Sequence, residues 1–282
     1  MIKMLPLVFV ILWSSAFITS KVIIDNSSPF AALSFRFLIV TACFLIFSLI
    51  IKDKILNNTT SVLQACVSGV LFHGLYLGGV FYSISIGMPA SIAALIVSLQ
   101  PILTNVLSGP LLNERVSWSQ WFGIILGFIG AVLVLGFEVG NTISLLAITS
   151  TIVALVAATS GTLWQKKISN NLTLTVNNFY QALGAFIFLF LIMILFEKPF
   201  INFSYNFIMS MTWQIIVVSF GAFTILMYLI RSGSASKTSS LFFLVPPVSA
   251  LMAWVFLNET ITFYDLIGFC LGSLGVFIAT RE

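Results

Sequence analysis

The side chains with chemistry to offer are few, and most of them sit inside apolar runs. His73, the only histidine, lies mid-run in SGVLFHGLYLGGVFY, and Gln100 is followed by Pro101 in SLQPILT. Trp13 has Ser14 and Ser15 beside it, and Trp164 follows Thr159 and Ser160 by about one turn. These residues suit binding rather than bond-making. An ionisable ring at membrane depth is a candidate for a solute site or a proton relay. A large aromatic next to hydroxyls can form a pocket wall, the ring against a side chain and the hydroxyls toward a polar end. Pro101 lacks an N–H and crowds the carbonyl one turn earlier, so its helix should kink and free a carbonyl near Val97, beside Gln100. At α-helical spacing Gly69, His73, Tyr76 and Val80 share one face. Each feature also has a purely structural explanation: a neutral histidine bonded across a helix contact, a packing kink, or interface tryptophans.

Enzyme chemistry finds no support. Asp25, Asp53, Glu114, Glu138, Glu197, Glu259, Asp265 and Glu282 all fall at run ends or in loops, so no carboxylate pair lies at depth. Cys43, Cys66 and Cys270 are scattered without metal-ligand spacing and read as small hydrophobes. No metal or cofactor is expected.

The elements that must position these residues follow from composition. Of 282 residues 60% are hydrophobic and 7% charged, and the mean hydropathy is +1.14, which marks an integral membrane protein. Apolar runs between polar breaks place ten helical spans near 4–24, 30–51, 62–86, 89–112, 117–136, 143–166, 176–196, 210–231, 236–257 and 262–280. The short basic start Met1-Ile2-Lys3 suggests a signal peptide, but nine further apolar runs follow, and the first run is taken as a membrane helix. With the N-terminus inside, nine Lys and Arg lie at cytoplasmic ends against Lys21 and Lys198 at outer ends, so both termini are expected in the cytoplasm. The net charge of +4 is then an orientation signal and requires no nucleic-acid partner. Arg36, inside the second span, either binds a carboxylate or snorkels to the outer interface, and snorkelling is the expectation.

The two halves repeat. Tyr82 to Pro101, YSISIGMPASIAALIVSLQP, aligns with Tyr228 to Pro247, YLIRSGSASKTSSLFFLVPP, at an offset of 146. Leu112-Asn113-Glu114 then meets Leu257-Asn258-Glu259, and Gly123, Gly127 and Gly130 meet Gly268, Gly272 and Gly275, at 145. Five spans per copy is odd, so the copies are inverted, with boundaries expected at 1–138 and 139–282. Inverted repeats with paired broken helices point to a midplane solute site. Pro246-Pro247 is the second break and should open its helix further than Pro101 does. The glycine runs pack helices closely, within the chain or between chains.

These repeats resemble the two EamA repeats of the drug/metabolite transporter superfamily, most strongly over spans three to five and eight to ten. The resemblance implies an all-α, ten-span membrane protein with both termini inside, a bacterial inner-membrane carrier, commonly an exporter of amino acids or related metabolites. Some amino-acid exporters of the superfamily are similar in carrying a histidine and a tyrosine on the third span facing the cavity, which singles out His73 and Tyr76. The expected solute site is completed by Trp13, Ser14, Gln100, Pro101, Trp164, Tyr228, Pro246 and Pro247, with Tyr180 and Gln181 as weaker candidates. The expected partners are a small-molecule substrate and the bilayer, in a monomer or homodimer. Uptake or exchange of a cofactor-like metabolite such as S-adenosylmethionine is one alternative. A flippase for lipid-linked sugars is another.

Overall fold

The computed structural model describes residues 4–55, 57–88, 93, 96–135, 143–257 and 263–280. Span one is Leu5–Asp25, span two Pro29–Ile50, span six Leu145–Ile168 and span seven Leu174–Phe196. Spans three, Thr59–Ser85, and eight, Tyr205–Ser232, are continuous helices interrupted by π-helical stretches, Val70–Leu77 and Gln214–Ala222. Spans five, Trp118–Leu135, and ten, Phe263–Thr280, are shorter, and spans four and nine are broken. The expected start of span four, the end of span five and the start of span ten lie outside the described residues.

Several helices begin earlier than hydropathy suggests, because their first turns are polar caps. Asn58 accepts from the Thr60 N–H to start span three, and Thr173 and Ser204 do the same for spans seven and eight through Val176 and Phe207. Such caps occupy donors that the first helical turn would otherwise leave unpaired. The lipid-facing sides carry large exposed apolar residues such as Ile50, Leu145 and Phe196. That surface suits hydrocarbon and not water.

The inverted repeat is visible in which spans touch. Span two packs on its repeat mate, span seven, and span five on its mate, span ten. Span six lies against spans three and four, while span one lies against spans eight and nine, the same relation in the opposite copy. The glycine runs form the seam between spans five and ten within one chain. A Cβ built on Gly123, Gly130 or Gly275 would come within 2.5 Å of backbone on the facing span.

The ends are tied by carboxylates. On the face where span one begins, Glu114 accepts from the Ala235 and Ser236 N–H groups at 2.9 and 3.2 Å, which caps span nine. On the opposite face Glu197 accepts from Phe30 and Ala31 at 3.3 and 2.9 Å, which caps span two. In both cases an acidic group meets the positive end of a helix dipole.

Candidate functional site

The candidate site is built around the two interrupted spans. Span four turns at Ser98–Leu99 and resumes as Gln100–Leu112 with Pro101 in its first turn. Span nine runs as Ala235–Ser240, tightens into a 3-10 turn over Leu241–Leu244, and resumes as Val245–Leu257 with Pro246 and Pro247 in its first turn. The expected kink is an interruption of the α-helix with the backbone still helical, since Leu99 bonds back to the Ile96 carbonyl. The 3-10 turn carries span nine on without a gap, so its two prolines do not open it further than Pro101 opens span four. Proline sits where a helix start has a spare N–H position anyway, so its missing donor is tolerated.

Each break is tied to the first span of the other copy. Gln100 Nε2 donates to Thr162 Oγ1 at 2.9 Å and to the Ala158 carbonyl at 3.5 Å, both on span six. Ser14 Oγ on span one donates to the Val245 carbonyl at 3.3 Å, and Ser249 Oγ returns a bond to the Ser14 carbonyl. Both ties are buried, so each covers polar groups that a broken helix would otherwise leave bare in hydrocarbon.

Between the breaks lies an aromatic core. Trp13 packs on Phe9 and edge-on against Phe242, with ring centroids 5.4 and 5.5 Å apart. The Tyr76 hydroxyl meets the Trp13 indole. His73 lies between Phe37 and Phe223, 4.5 and 4.2 Å from their ring centroids. Trp13, Tyr76 and His73 are each 6% exposed and Gln100 is 1%, so the centre is closed to solvent.

One expectation needs correcting. His73 and Tyr76 do not share a face: His73 looks toward spans two and eight, and Tyr76 toward span one. The π-helical stretch explains this, since its i to i+5 bonding lengthens the turn and moves residues three apart onto different sides. A second correction concerns Arg36. Instead of snorkelling it is 4% exposed, and its Nε and Nη2 donate to Ser219 Oγ of span eight at 3.0 and 2.9 Å.

Other expected residues stand apart from the core. Trp164, half-buried, donates its indole N–H to the Gln64 carbonyl at 3.0 Å near the beginning of span three. Tyr228 is half-buried near the end of span eight. Gln181 joins Gln165 and Ser68 in a buried hydrogen-bonded cluster among spans three, six and seven, and Tyr180 donates to the Ile55 carbonyl. Pro246 and Pro247 are buried, the latter toward Gly272 of span ten. The sequence reading missed Ser219, Phe223 and Phe242. The repeat offset of 146 held a signal for the first, since it makes Ser219 the counterpart of His73. Among the described residues no cluster of His, Cys, Asp and Glu could hold a metal ion.

The model of the EamA-like transporter family matches residues 2–136 and again residues 145–281. This chain belongs to the EamA-like transporter family. Relatives of this EamA-like chain include an uncharacterized transporter of Archaeoglobus fulgidus, 28% identical over 96% of this chain and 95% of that protein. A probable amino-acid metabolite efflux pump of Salmonella typhimurium is 25% identical over 97% of this chain and 93% of its own length. A solved crystal structure superposes with a TM-score of 0.84 at 20% identity, covering 99% of this chain and 96% of the other, which supports the EamA-like fold. The EamA-like chain is thus a multi-pass membrane protein with a buried polar and aromatic centre between two broken spans.

Proposed function

We propose that this protein is a secondary transporter that exports small polar metabolites, amino acids foremost, across the bacterial inner membrane by alternating access, with both termini in the cytoplasm. The observation that carries the proposal is the pair of repeat-equivalent breaks at Gln100-Pro101 and Val245-Pro247, set on either side of buried Trp13, Tyr76 and His73. In an inverted repeat, such breaks place exposed backbone polarity at the repeat interface, where a solute can be bound from either side. The name of the Salmonella relative supports amino-acid metabolites as cargo and efflux as direction.

In this reading Trp13 and Tyr76 contact the solute's apolar body while Ser14 and Gln100 serve its polar groups. Pro101, Pro246 and Pro247 keep the helices open. Trp164 and Tyr228 lie outside this set, because the first is tied to Gln64 and the second sits near a helix end. The acidic residues all fall at span ends or in loops, so exchange or facilitated diffusion accounts for transport without a proton relay other than His73.

Counterflow in proteoliposomes tests the reading, since it needs no ion gradient and ignores physiological direction. Saturable exchange of one amino acid, weakened in folded Gln100→Ala and Trp13→Ala variants, is expected. Exchange that survives both substitutions intact would move the site elsewhere. Scrambling of labelled lipid headgroups without any solute exchange would favour the flippase alternative.

A further inference from the structure

Arg36 is the only buried Lys or Arg among the described residues. It stands seven residues into span two, about 10 Å along the helix from its start. Its Nε and Nη2 both converge on the single oxygen of Ser219, and its guanidinium carbon lies 5.4 Å from the Phe37 ring centroid. Nη1 has no hydrogen-bond partner among the described residues, and no acidic side chain among them interacts with the guanidinium. One neutral hydroxyl and one ring face offset only part of the cost of holding a cation out of water, which normally takes an anion.

The surroundings mark the place as more than a structural contact. Ser219 is the repeat counterpart of His73, and the two residues sit in the π-helical stretches of spans eight and three. Such stretches recur at functional sites because they turn side chains out of helical register. His73 is close enough to Arg36 for charge to be felt between them, and its ring packs on Phe37, the next residue. One π turn before Ser219, Gln214 has a buried Oε1 without a partner while its Nε2 is bonded to Thr19, Ser20 and the Ala16 carbonyl of span one. Ser219, which holds a cation lacking an anion, and Gln214, an acceptor lacking a donor, therefore lie one π turn apart on span eight.

We infer that Arg36 and Ser219 form a carboxylate subsite of the transport pathway, taking the acid group of the solute on the free edge of the guanidinium. A planar carboxylate matches the fork of the guanidinium and would supply the missing counter-ion. The inference rests on the transporter reading above for its place in a cycle, but the binding site itself can be tested without transport.

Each common L-amino acid and its C-terminal carboxamide are compared in two assays, counterflow in proteoliposomes and thermal unfolding of the detergent-purified protein. Hydrogen bonds to charged groups predict that the wild type favours the acid over the amide by roughly 10- to 100-fold in counterflow. Arg36→Gln should erase that preference, Arg36→Lys should retain part of it, and Ser219→Ala should reduce it severalfold, with size-exclusion profiles checking that each variant folds. If no solute is exchanged yet an acid stabilises the wild type and not Arg36→Gln, the transporter reading fails and the subsite stands. An acid preference that persists in folded Arg36→Gln overturns the subsite, as does the lack of any acid–amide difference in both assays of the wild type. Should Arg36→Gln fail to fold, Ser219→Ala decides, and an unchanged preference there overturns the inference.

Discussion

Spans five and ten, and spans three and eight, are two repeat-mate pairs built in opposite ways. Spans five and ten meet backbone to backbone through glycine, so closely that a Cβ on Gly130 would lie 2.5 Å from the Gly272 nitrogen and one on Gly275 would lie 2.4 Å from the Gly127 nitrogen. Spans three and eight instead carry π-helical stretches, with His73, Tyr76 and Ser219 turned toward different neighbours. In lipid no hydrophobic force draws helices together, so close packing must hold the halves. The seam supplies that packing and leaves spans three and eight free to carry irregular geometry. The contrast gives close packing to one pair and irregular geometry to the other, and the proposed transport reading draws on the second.

The same change made in both pairs gives the sharpest break of this comparison. Gly130→Ala or Gly275→Ala puts a methyl into facing backbone that cannot rotate aside, and should cost about 3 kcal/mol or more. Loss of monodisperse protein or a large drop in melting temperature checks it, and normal stability would show that the seam is looser than described. Gln100→Ala removes the tie from the broken span four to Thr162 while leaving Thr162 its own bond to Ala158. Exchange should fall roughly 3- to 10-fold with the fold intact, as expected for one interhelical bond in a membrane. A large loss of stability without a kinetic effect would instead make Gln100 part of the scaffold.

Two smaller effects refine the contrast. Gly74→Ala in the π-helical stretch of span three brings a methyl 2.6 Å from Phe188 Cδ1, the edge of a ring that can turn. It should cost about 1 kcal/mol and leave a folded protein, so a loss equal to that of Gly130→Ala would erase the distinction between the pairs. Trp164→Phe deletes the donor to the Gln64 carbonyl and trims the half-buried indole to a single ring, and should lower stability by about 1 kcal/mol with exchange unchanged. A marked transport defect would return Trp164 to the solute site.

Much of the fold was legible in the residues. The apolar runs, the repeat linking Tyr82–Pro101 to Tyr228–Pro247, and the paired prolines gave the ten spans, their inversion and the location of the breaks. The side chains around the site were harder to read. α-Helical spacing puts His73 and Tyr76 on one face, and the π turn separates them. The snorkelling habit of long cations points Arg36 to the interface, yet it turns inward onto Ser219. Trp13 and Trp164 looked alike beside their hydroxyls, but only Trp13 reached the core.

The reason lies in the solvent. Alone, the sequence determined what crosses a bilayer and which segments repeat, because length, hydropathy and proline position are properties of the chain taken in order. Helices that are apolar nearly all round carry no amphipathic stripe to say which side faces protein and which faces lipid. Only the tertiary structure decided that the glycines join spans within one chain, that Gln100 reaches across to span six, and that a buried arginine lies beside His73 with no acid to balance it.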